Sequence, residues 1–77
     1  MALTEDVKVL IETALPGSEV EVLDEGGGDH LRAVVKAPQF EGLSRIEQHK
    51  LVRGAAKPRF EDGSIHALSI RTMVVDG

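Results

Sequence analysis

Cysteine is absent from the chain, which excludes disulfides, a thiolate nucleophile and any metal site that the chain would build from its own sulfur. Tryptophan and tyrosine are absent too, and Phe40 and Phe60 are the two aromatic residues. They leave no platform on which bases could stack. No apolar run approaches the ~20 residues that a membrane helix needs. The opening Met1-Ala2-Leu3-Thr4-Glu5-Asp6 has no basic segment followed by an apolar stretch, unlike a secretory or organellar presequence, so a cytoplasmic location without membrane contact is the expectation. Gly-x-Ser-x-Gly, His-Glu-x-x-His and a phosphate loop ending in Lys and Ser or Thr are all missing. Nothing therefore points to an enzyme.

What remains is an ordinary globular composition, with 42% hydrophobic and 29% charged residues among 77. A chain of this length buries only roughly 60% of its unfolded surface, so the expectation is one small domain spanning 1–77. Its net charge of −4 argues mildly against a protein whose main work is to neutralise phosphates. The charge is unevenly placed. Residues 1–30 hold eight acids and a single base, whereas residues 31–77 hold eight bases and five acids.

Hydrophobic periodicity gives the elements. Thr4 is placed to cap a helix in which Val7, Leu10, Ile11, Ala14 and Leu15 recur at steps of three and four, and Pro16-Gly17 stops it. Glu19 to Asp24 alternates with period two and predicts a half-buried strand. Gly26-Gly27-Gly28-Asp29 is a turn, and His30 to Ala37 returns as the second strand of a hairpin, ended by Pro38. Ser44-Arg45-Ile46-Glu47 fits a capping box. It opens a second helix with Ile46, Leu51, Val52, Ala55 and Ala56 inward, which is expected to end before Pro58. Ser64 to Val74 is the third strand, with Leu68, Ile70 and Val74 toward the helices, His66 on their side by parity, and Ile65, Ala67 and Met73 on the other face. The order α-β-β-α-β predicts an α+β fold: a three-stranded mixed sheet, its second and third strands parallel, with both helices on one face.

Chemistry on such a frame falls to histidine. His30 and His66 open strands expected to be parallel neighbours, so both lie at one end of the sheet and a metal half-site there is geometrically allowed. Parity sets them on opposite faces, a conflict that the conformationally free glycine turn can relieve. The competing reading is a pair of exposed or hydrogen-bonded histidines. His49 falls on the apolar stripe of the second helix and reads as structural, part-buried and hydrogen-bonded. Asp24, Glu25 and Asp29 lack the spacing of a calcium loop and read as solvated acids. Arg45, Lys50, Arg53, Lys57 and Arg59 gather positive charge on the second helix and just beyond it. They form either a solvated face or a contact for an acidic partner or a nucleic-acid backbone.

Three segments carry a resemblance: Phe40-Glu41-Gly42, Gln48-His49-Lys50-Leu51-Val52 and Ile65-His66-Ala67-Leu68-Ser69-Ile70. Together they resemble the signature of the BolA family, with matching element order over nearly the whole chain. The resemblance implies a class II KH-like fold and a role beside monothiol glutaredoxins in handling iron–sulfur clusters. It also implies His66 as a cluster ligand and His30, in the loop before the second strand, as another, the histidine type of the family. Two positions depart from the pattern: Gln48 stands where Arg is common, and Arg53 where an aromatic is frequent.

Two imidazoles cannot complete a two-iron, two-sulfur cluster, which takes four ligands, so a partner must bring thiolates from its own cysteine and from glutathione. Ligation by neutral imidazole makes binding proton-sensitive near pH ~6.5. On its own the chain is expected to carry no cofactor, and pairing of two copies is left open. The family is also linked to transcriptional regulation, which makes the basic second helix a candidate nucleic-acid contact, although Gly-x-x-Gly, the loop that KH modules press against phosphates, is missing.

Overall fold

The computed structural model describes residues 2–74, so Met1 and residues 75–77 of the expected 1–77 domain lie outside the described part. The elements follow the expected order: α1 (Leu3–Ala14), β1 (Glu19–Gly26), β2 (His30–Ala37), one 3₁₀ turn (Pro38–Phe40), α2 (Arg45–Glu61) and β3 (Ala67–Val74). The sheet runs β1-β2-β3. β1 pairs antiparallel with β2, and β2 pairs parallel with β3 in the register His30 with Ala67 through Ala37 with Val74. No helix among the described residues is long and apolar enough to cross a membrane.

Period sets the core. Val7, Ile11 and Leu15 lie four apart along one line of α1 and its end. Leu31, Ala33, Val35 and Ala37 lie two apart along β2, and all seven are buried. Phe40 from the 3₁₀ turn, Val52 and Ala56 from α2, and Ile65 and Leu68 complete the cluster. At about 25 cal/mol per Å² of apolar area, contacts of this kind are the main force that holds so small a domain together.

Several expectations are corrected. Thr4 does not cap α1: the helix begins at Leu3 behind Ala2, which offers no side-chain cap, and the Asp6 N–H reaches the Ala2 carbonyl at 3.0 Å. α2 does open on the expected capping box, Ser44 with Glu47. It runs through Pro58 rather than stopping before it. Pro58 opens the last turn, so a single helical hydrogen bond is lost. That turn is tied down from outside, because the Pro58, Phe60 and Arg59 carbonyls accept from the N–H groups of Asp62, Gly63 and Ile65, and the Arg59 guanidinium bonds Asp6 of α1 and Asp62. Ile46 and Leu51, expected inward, are exposed, which leaves α2 holding the core by a narrow line at Val52 and Ala56.

The third strand begins three residues later than expected, and with it the parity changes. Ile65 is buried and His66 exposed, the reverse of the alternation read from Ser64, and Val74 is exposed as well. Ser64 to His66 belong to a turn rather than a strand. The turn frees the chain from strict alternation, so the aliphatic side chain enters the core while the imidazole, costly to bury unpaired, reaches water.

Candidate functional site

Because β2 and β3 run parallel, both begin at the same end of the sheet, and the two segments that feed them meet there. The segment before β2 holds three glycines in a row, all with positive φ. Asp24 organises it: one carboxylate oxygen accepts from the Gly26 N–H at 2.8 Å and the Gly28 N–H at 3.3 Å. Gly27, at φ +71°, is the position where a side chain is least welcome, since a Cβ there would lie 3.2 Å from Asp29 Oδ1.

Asp29 joins the two segments. Its carbonyl accepts from the N–H groups of His66 at 2.9 Å and Ala67 at 3.3 Å. Its carboxylate lies 2.8 Å from His66 Nδ1 through Oδ2 and 3.7 Å from His30 Nε2 through Oδ1. The first is a close contact that lacks the alignment of a hydrogen bond, and the second is longer than one. The side chains of His30 and His66 are 58% and 64% exposed, so both are within reach of a docking molecule. The glycine turn thus resolves the parity conflict in part, and the early turn at Ser64 to His66 resolves the rest. Asp24 and Asp29, read as solvated acids, instead shape the loop and bridge it to the strand beyond. The signal for Asp29 was its place directly before a strand-opening histidine at the end of a glycine run.

Among the described residues, no group of three or more His, Cys, Asp or Glu side chains converges as a metal cage. Any ion or cluster held at this rim would need ligands from outside the chain. His49 lies away from it on α2, half-buried, lining with Arg32, Arg45 and Arg71 a groove of about 450 Å³. No hydrogen bond to its ring is present among the described residues.

The five basic candidates divide. Arg45, Lys50, Arg53 and Lys57 are exposed on α2, with the Arg53 guanidinium 4.8 Å from the centre of the Phe60 ring. Arg59 is engaged with carboxylates: hydrogen bonds to Asp6 and then Asp62 raise its pKa further. The two unusual positions have local partners. Gln48 donates to the carbonyls of Phe40 and Leu43 and accepts from the Thr72 hydroxyl at 2.5 Å, tying the 3₁₀ turn, α2 and β3 together. Arg53 finds its aromatic within its own helix, at Phe60.

Fold and rim together define a small α+β domain with a three-stranded mixed sheet and an exposed imidazole pair at one end. The BolA-like protein family model matches residues 4–76. An uncharacterised protein of Rickettsia prowazekii, RP812, is 32% identical over 72 residues, covering 92% of each chain. A solved BolA homologue from Coxiella burnetii is 42% identical with a TM-score of 0.75, covering 94% of this chain and 90% of that one. The BolA domain of SufE1 from Arabidopsis thaliana, at 22% identity and a TM-score of 0.83 over 96% and 93%, speaks for the fold alone. The chain belongs to the BolA-like family. Other curated relatives are longer, and the chain spans 39% to 64% of the length of three of them.

Proposed function

We propose that this protein is a non-catalytic adaptor that docks on a monothiol glutaredoxin and shares a two-iron, two-sulfur cluster with it, in cluster assembly, trafficking or iron regulation. The observation that carries the reading is the exposed pair His30 and His66 on either side of Asp29. The donor set fits the group: imidazole is an accepted ligand to such clusters, and the thiolates that this chain lacks come from the partner's cysteine and glutathione. When bound, the cluster supplies iron and sulfide for delivery and an electron-accepting centre. The chain's own part is to present neutral imidazole nitrogen at an open rim. His66 is the more firmly held ligand, and His30 the second.

The test is reconstitution with a monothiol glutaredoxin, glutathione, iron and sulfide, followed by visible circular dichroism. His66→Ala is expected to change the spectrum outright and His30→Ala to shift it and speed cluster loss; an unchanged His66→Ala spectrum overturns the ligand assignment. The alternative, a nucleic-acid-binding regulator, rests on the exposed cations Arg45, Lys50, Arg53 and Lys57 of α2. It requires duplex binding that falls steeply with salt and weakens in Arg53→Ala, and such binding with no cluster signal would replace the adaptor reading.

A further inference from the structure

We infer that the free edge of β3 is a docking site for an acidic, extended segment of a partner protein, which adds to the sheet as a fourth strand. This surface lies farther along β3 than the histidine rim, and the inference does not rest on the adaptor reading. β3 is an edge strand, paired with β2 alone. The Ala67 N–H bonds the Asp29 carbonyl, one position before its register partner His30. In a parallel ladder, that turns the main-chain N–H and C=O groups of Ala67, Ser69, Arg71 and Met73 toward β2, and those of Leu68, Ile70, Thr72 and Val74 outward. Among the described residues, no main-chain group pairs with the outward set. A strand of eight residues with one unpaired edge is a ready template for another chain.

The groove beside His49 runs along this edge. Four consecutive residues of β3, Ile70 to Met73, line it, whereas a groove on one face of the sheet would take every second residue. Cations flank it on both sides. Arg32, and Arg71 through its register partner Val34, alternate with the buried Leu31, Ala33 and Val35 and so belong to the face that carries no helix. Arg45 and His49 stand one turn apart on α2, on the helix side. No carboxylate lines the groove, and among the described residues none of these three arginines is in an ion pair. An anion between them relieves their mutual repulsion. Successive residues of an added strand point to opposite faces, so two neighbouring carboxylates meet both cation pairs. The outward main-chain groups favour a peptide over a nucleic acid, and so does a lining without an aromatic ring for bases to stack on.

The experiment is titration of the protein with the capped peptide Val-Thr-Glu-Glu-Val-Thr, followed by ¹⁵N–¹H NMR shifts and amide exchange. The amides of Ile70 and Thr72 are expected to gain protection on binding, while those of Ser69 and Arg71, already turned to β2, keep theirs. Arg45→Ala and Arg71→Ala change exposed side chains and are each expected to weaken binding by about two- to five-fold, and added salt weakens it further. Arg53→Ala, outside the groove, is expected to leave it unchanged. The same peptide with its amide nitrogens methylated is expected not to bind. Absence of binding at millimolar peptide, equal binding of Val-Thr-Lys-Lys-Val-Thr or of the methylated peptide, or protection that does not alternate along β3 overturns the inference. Protection of Ile70 and Thr72 that rises with protein concentration alone assigns the edge to a second copy, whose β1 carries Glu19 and Glu21, and overturns the partner assignment. DNA that displaces the peptide and shifts the same residues without alternating protection gives the groove to a nucleic acid and overturns it as well.

Discussion

The two sides of the histidine rim are built from opposite materials. On the side of His66, the preceding residue Ile65 is buried in the core, its N–H bonds the Arg59 carbonyl at the end of α2, and the His66 N–H bonds the Asp29 carbonyl. On the side of His30, the chain arrives through three glycines of positive φ, held in shape by a single carboxylate, Asp24. Packing and helix contacts fix the first side. Local hydrogen bonds alone fix the second. The rim thus pairs a histidine whose neighbour is anchored in the core with one carried on a glycine loop.

The largest expected effect comes from breaking the packed side. Ile65→Ala removes a fully enclosed side chain and is expected to cost about 2–5 kcal/mol, a large part of what a domain of this size commands. Urea unfolding followed by circular dichroism measures it. The His66 resonances should broaden or move under native conditions, because the residue loses its anchor. A loss below about 1 kcal/mol would mean that Ile65 does not hold this side.

A smaller effect comes from acid. Asp62 lies in the turn that leads to Ile65, and hydrogen bonds from Ser64 and then Arg59 lower its pKa from 3.8 to about 2. A carboxylate with a depressed folded-state pKa stabilises the fold above its unfolded value and loses that contribution as pH falls through the folded one. The window is therefore from about pH 4 down to about pH 2. Asp62→Asn should flatten the stability profile in that window, in urea midpoints measured at successive pH values, while leaving its course near neutral pH parallel to wild type. Both bonds are exposed, so the change is modest and is read as a difference in slope. A mutant profile with the same acid slope as wild type would show that the loop before β3 does not depend on this carboxylate.

The same contrast explains what could be read from the sequence. Period-two alternation located β2 from His30 to Ala37, and the Ser44–Glu47 box located the start of α2, because each depends on residues within a few positions of one another. The strand order and the shared end of β2 and β3 followed from connection rules. What escaped depended on contacts distant in sequence. Pro58 stays helical because Arg59 reaches back to Asp6, and Ile65 exchanges places with His66 because the core takes the isoleucine. Ile46 and Leu51 kept the helical spacing of core residues, yet the sheet is too small to cover them. The histidine pair was legible from topology, whereas Asp29 was not, since its role requires β3 to be docked beside it.

The glycine side gives the finest test of the contrast. Asp24→Ala removes the acceptor of the Gly26 and Gly28 N–H groups and touches no core residue, so global stability should change by no more than about 0.5–1 kcal/mol. Amide exchange by NMR resolves what stability does not. Gly26 and Gly28 should exchange several-fold faster, while the amides of His66 and Ala67, which bond the Asp29 carbonyl, should keep their protection. That outcome marks the two halves of the rim as independent, with the His30 side loosened and the His66 side untouched. Equal loss at His66 would instead mean that the glycine loop and the start of β3 open as one unit, and that Asp29 transmits the order of one side to the other.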